Sequence, residues 1–175
     1  MKKIKNLTLA ILIGAILVSC KSVTPEDAKK YNEDLIAAES ELANKETAFS
    51  NIVATDSSKA QKKAAYDALV LQANEALAAI NKMEAFDGST EYLDAGKAYF
   101  TAIKGICDVE YKQAFDLITI EGRDRTDEEN AQLDKVTTAM VDKSVVALKN
   151  MQAAQKVFAD KNKFEIEETT ATETK

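Results

Sequence analysis

Pro25 is the only proline in this 175-residue chain. Inside a helix a proline removes a backbone donor and clashes with the preceding turn, at a cost of about 3 kcal/mol. With none beyond position 25, long helices can run without a covalent break. Pro25 itself sits where a helix accepts it. Thr24 is placed to cap the first turn, Pro25 to occupy the first helical position, and Glu26 and Asp27 to face the positive end of the dipole.

Apolar residues then recur in steps of three and four, the period of one helix face. The first stripe is Tyr31, Leu35, Ala38, Leu42, Phe49, Ile52 and Val53, with the slot before Phe49 filled by Lys45 and Glu46. It ends near Ala54. After the capping-type turn Thr55 to Ser58, a second stripe runs through Ala65, Leu69, Ala73, Ala76, Ile80 and Met83 to Phe86, where Gly88 is expected to stop the helix. The alanines predict a close helix neighbour.

A third helix is expected from about Thr90 to Glu121, with Leu93, Phe100, Ile103, Cys107, Ala114 and Leu117 as its seam. Tyr92, Tyr99, Tyr111 and Phe115 flank that seam, and Gly122 ends the helix. Either these aromatics fill the thickest part of the core or they line a groove for an apolar partner. Thr126 and Glu129 have the spacing of a capping box. They open a fourth helix through Leu133, Val136, Met140, Ala147, Met151, Ala154 and Phe158 to about Asp160.

Four such helices, each roughly 45 Å long at 1.5 Å per residue, are joined by short connections. The expected fold is therefore all-α, an antiparallel up-down-up-down four-helix bundle with long helices, spanning residues 25 to 161. Residues 162 to 175 are acidic and threonine-rich without periodicity, and are read as a disordered tail.

The first twenty residues read MKKIKNLTLAILIGAILVSC. Three lysines, a short apolar run and a small residue before a cysteine are the parts of a secretory signal. The apolar run is shorter than the roughly 20 residues a membrane-spanning helix needs. Its Leu-x-Ser-Cys ending resembles the lipobox of bacterial lipoprotein precursors. The resemblance implies a signal peptide over residues 1 to 19, removed by cleavage, and lipid attachment at Cys20. Residues 20 to 24 would form a lipidated linker. Each buried methylene contributes about 0.8 kcal/mol, so two or three acyl chains tether permanently where one does not.

Gln155 to Ala159, a Gln-x-x-Phe-Ala segment closing the fourth helix, adds a likeness to helical surface lipoproteins of spirochaetes and Bacteroidetes. That resemblance implies a cell-envelope location. Lys21 stands where enteric lipoproteins retained in the inner membrane carry aspartate, which favours the outer membrane or cell surface.

Composition narrows the chemistry. The formal charge is −6, and the leader carries three lysines and no acid, so the body alone is more acidic still. Nucleic-acid binding needs clustered cations and is not expected. There is no histidine, so a Glu-x-x-His dimetal site and histidine-ligated haem are ruled out. No cofactor, metal or catalytic residue is predicted. With Cys20 acylated, Cys107 has no cysteine partner, and on an apolar seam it reads as a small hydrophobe.

Glu110 falls inside the apolar arc of the third helix. It is expected to pair across the core with Lys45, which stands at a similar height on the first helix, or to be solvated by a local gap in the packing. In a second reading Glu110 belongs to a ligand site with Tyr99, Tyr111 and Cys107. The functional expectation is a non-enzymatic, lipid-anchored protein-interaction module, with a periplasmic small-ligand carrier or holdase-like chaperone as the alternatives.

Overall fold

A computed structural model describes residues 23–166 of the chain. It is all-α. Helices α1 (Pro25–Val53) and α2 (Lys59–Lys82) are followed by α3 (Glu91–Ile106), a π-helical turn at Cys107–Tyr111, α4 (Lys112–Ile118), and the long α5 (Asp127–Asn162). The capping chemistry is as the spacing predicts. The Thr24 hydroxyl accepts from the Asp27 N–H at 3.2 Å while the Asp27 carboxylate accepts from the Thr24 N–H at 3.0 Å. Ser58 and Gln61 do the same for α2, and Thr126 and Glu129 for α5. At that last cap Arg123 also grips both Glu129 oxygens, at 2.6 and 2.7 Å.

α1 packs on α2, α2 on α3 and α3 on α5. The core comprises Leu35, Leu42 and Phe49 from α1, Leu69, Ala73, Ala76 and Ile80 from α2, Phe100, Ile103 and Ile106 from α3, and Met151 and Phe158 from α5. Close approach is concentrated at Gly96, where an added methyl group would meet Leu35 Cδ1 at 3.1 Å and Ile80 Cδ1 at 3.5 Å. The glycine lets three helices meet there.

One end of the structure is aromatic. The Phe158 ring lies 4.9 Å from Tyr92, 5.3 Å from Phe86 and 5.7 Å from Tyr31, centroid to centroid. Beneath this cluster a buried polar contact joins three helices. Asn32 Oδ1 accepts from Tyr92 Oη at 2.8 Å and from Gln155 Nε2 at 3.0 Å. Tyr92 and Tyr99 are buried and Tyr111 half-buried, so the aromatics of the third segment are core.

Four boundaries differ from the sequence reading. α2 stops at Lys82, before Gly88. Asp87 and Gly88, at φ 48° and 73°, instead form a tight turn closed by Ser89 N–H on the Phe86 carbonyl at 2.9 Å. Leaving the helix early swings Phe86 onto Tyr31 and Phe158. The third helix ends at Ile118, and Gly122 lies in the following loop. The π turn is the third difference. It holds more residues per turn than an α-helix, so the side chains beyond it are rotated. Ile118 packs on the core in the place expected for Leu117. The fourth lies at the tail boundary. α5 extends to Asn162, Lys163 takes a left-handed conformation, and the Phe164 N–H reaches back to the Ala159 carbonyl at 3.3 Å. Phe164 then packs on Phe158 at 5.8 Å, as a residue beyond a helix end often does. The rest of the expected tail, from 167, lies outside the described residues. No helix among the described residues is long and apolar enough to cross a membrane.

Candidate functional site

The π turn organises the chemistry of the molecule. Single π turns cluster at functional sites, because they release backbone groups and re-aim side chains. Here the Cys107 carbonyl takes a partner from another helix, the Tyr66 hydroxyl, at 3.2 Å. Tyr66 also stacks on Phe115, with centroids 5.2 Å apart. The turn buries Cys107 and Glu110 and leaves Val109 47 % exposed between them.

Glu110 is buried, as its place in the apolar arc predicts, but its partner is Lys143 of α5. Lys143 Nζ lies 2.5 Å from Glu110 Oε1. Lys45 is exposed on α1 and takes no part. The expected Glu110–Lys45 pair is therefore corrected. The polar residue turned inward at that point of α1 is the neighbouring Glu46. One residue along a helix is a rotation of about 100°, which sends Lys45 to solvent. The second carboxylate oxygen of Glu110 is buried without a hydrogen-bond partner.

Tyr99, Cys107 and Tyr111 do come together, around the half-buried carboxylates Glu39 and Glu46. Burial raises the Glu39 carboxyl above its ordinary range, offset in part by the Tyr99 hydroxyl. Glu46 is raised by burial and then by the charge of Glu39. Burial pushes the Cys107 thiol up to about 12, with Glu46 and Asp108 adding to the effect. Tyr99 and Tyr111 are raised by burial first, then by the nearby carboxylates. Every one of these groups is driven toward its protonated form. A nucleophilic thiol needs the opposite field. Among the described residues no cluster of Cys, Asp and Glu is arranged to hold a metal ion.

The concave feature beside Glu110 lies on the outer side of α3 and α5. An open-sided groove of about 690 Å³ has Ala95, Ala98, Ala102 and Gly105 on one wall and Val146, Ala147 and Asn150 on the other. Lys143, Asp142 and Val109 close one end, and Tyr99 forms part of the floor. The small residues follow helical spacing along α3, so the groove runs parallel to the helices. Of the proposed ligand set only Tyr99 lines it.

A second groove, of about 640 Å³, lies where α1 begins, between Val23, Asp27, Tyr31, Met83 and Phe86. Cys20, the expected lipid attachment residue, lies outside the described residues. Sequence reasoning missed Lys143, Glu39 and Asn32. Lys143 carries no signal of its own, since one lysine on a helix rich in them is indistinguishable from a solvated one. The chain matches no protein-family model, no curated protein and no solved structure.

Proposed function

We propose that this protein is a lipid-anchored helical module of the bacterial cell envelope, on the outer membrane or cell surface, which binds another polypeptide without doing chemistry on it. The observation that carries the binding half of this reading is the groove between α3 and α5. Its walls are small and apolar, it is open-sided, and it runs along the helix direction. A small-molecule site usually has a few convergent polar groups in an enclosed cleft. A helix laid in a groove needs small residues at helical intervals. The leader supports the anchoring half, through the lipobox-like ending at Cys20.

Within the up-down-up-down bundle we propose, two contacts support an antiparallel pairing of α1 and α2. Tyr31, near the start of α1, bonds to the Glu84 carbonyl beyond the end of α2, at 3.1 Å. Phe49, near the end of α1, meets Tyr66 near the start of α2, with ring centroids 6.3 Å apart. A rod of this kind, tethered at one end, presents its long side to partners.

Two variants test the reading in the native cell. Cys20→Ala is expected to move the protein from the membrane fraction to the soluble fraction. A photoreactive group attached at Ala102→Cys, on the groove wall, is expected to form adducts with polypeptide. Unchanged membrane association would overturn the anchor. Adducts confined to lipid or small molecules would overturn the protein-binding reading in favour of the carrier.

A further inference from the structure

α5 carries an apolar interruption on the side facing away from the core. Its inward residues are Val136, Met140, Ala147, Met151 and Phe158. On the other side Val141, Val145 and Val146 are 56, 57 and 60 % exposed. A solvated helix face is normally polar. Valine also has a weak helix propensity, so local folding gives no reason for it on the surface.

The residues flanking the central pair carry opposite charges. Asp142 lies three positions before Val145, and Lys149 three positions after Val146. Seven residues apart, Asp142 and Lys149 share one face of the helix. Among the described residues neither makes a hydrogen bond or ion pair, whereas Lys143 is bound to Glu110 and Lys156 to Asp160.

We infer that a second copy of this chain docks on this face, with the two α5 helices antiparallel about a two-fold axis passing between Val145 and Val146. The inference rests on the reading of the protein as an interaction module and names its partner. In a two-fold interface, residue i meets j and j meets i. This axis sets each Asp142 opposite the partner's Lys149 and each Val145 opposite the partner's Val146. A parallel pairing would instead set Asp142 against the partner's Asp142, which like charge disfavours.

The axis also faces Lys135 toward the partner's Lys156, roughly ten residues away. Helices crossing at about 20° have separated by that point, and Lys156 is already held by Asp160. Val109 and the wall of the α3–α5 groove lie beside Val146 and extend the apolar surface.

The test uses the full-length protein in its native membranes, with a benzophenone group attached at Val146→Cys. The expected product on illumination is an adduct of twice the chain mass. Adding Asp142→Lys places like charges across the axis, which disfavours the pairing, and is expected to reduce that adduct about tenfold. Combining Asp142→Lys with Lys149→Asp is expected to restore it. Both positions are exposed, so an unchanged melting temperature separates this result from unfolding. Adducts only to a different protein would overturn the self-pairing and leave the interaction module standing. No adduct at all at Val146→Cys would overturn the self-pairing and leave the interaction module to the adducts at Ala102→Cys, and a dimer adduct insensitive to charge reversal would overturn the axis.

Discussion

Glu110 on the π turn and Lys143 on α5 form an ion pair at 2.5 Å between a buried carboxylate and a lysine whose side chain is 57 % exposed. The pair ties the one irregular turn of the third helical segment to the facing helix. Removing the ammonium leaves a buried carboxylate whose other oxygen already lacks a partner.

Lys143→Met is therefore expected to destabilise the fold by about 1–3 kcal/mol, the penalty of an unsatisfied buried polar group, reduced toward the lower end by the exposure of the lysine. Lys45→Met, at an exposed position, is expected to stay within about 0.5 kcal/mol of the parent. Urea denaturation of the two variants measures both. Equal effects would contradict the pairing.

The carboxyls of Glu39 and Glu46 titrate above their ordinary range in the fold, chiefly because burial disfavours their charged forms. The folded state then binds protons more readily than the unfolded chain. Their contribution is most favourable below the unfolded pKa, and stability is lost as pH rises from there through the raised folded value. Glu46→Gln is expected to raise the melting temperature at pH 7. The gain should shrink as pH falls through the carboxylate range. Melting curves across pH 4 to 7 check this, and a variant less stable at pH 7 would contradict it.

Two glycines of α3 separate packing from backbone entropy. An added methyl group at Gly105 meets nothing within 4 Å, so Gly105→Ala is expected to stabilise by about 0.5–1 kcal/mol. At Gly96 the Leu35 and Ile80 side chains stand in the way. Gly96→Val is expected to cost about 1–3 kcal/mol by overpacking. Chemical denaturation of both variants gives the comparison.

The Cys107 thiol is fully buried, with its pKa pushed up to about 12. It is expected to react with a thiol reagent only at the rate at which the fold opens. Reaction in native buffer should accelerate in step with urea-induced unfolding. Fast labelling of the folded protein would contradict the burial.

Much of the fold is legible in the sequence because helices announce themselves twice, by periodicity and by caps. Thr24 and Thr126 cap as their spacing suggests, the turn expected over Thr55 to Ser58 supplies Ser58 as the cap of α2, and Leu35, Leu69, Phe100 and Met151 are all buried. The π turn left no such mark. No proline or glycine pair flags Cys107 to Tyr111, and a one-residue shift in register stays hidden among mixed apolar residues such as Leu117 and Ile118. The site was half legible. The burial of Glu110 follows from its helical angle, but its partner depends on how α5 is rotated against α3. Periodicity gives each helix a buried face and does not say which of several lysines on a neighbouring helix will reach across. The exposed valines of α5 were hidden for a related reason, since Val141 and Val145 can be read on either side of a stripe until the core is seen.

The most direct test of the proposed anchoring is the intact mass of the protein extracted from its own membranes. The account predicts a chain that begins at Cys20, lacks residues 1 to 19, and carries the added mass of two or three acyl chains. A full-length, unmodified polypeptide that still begins at Met1 would contradict it.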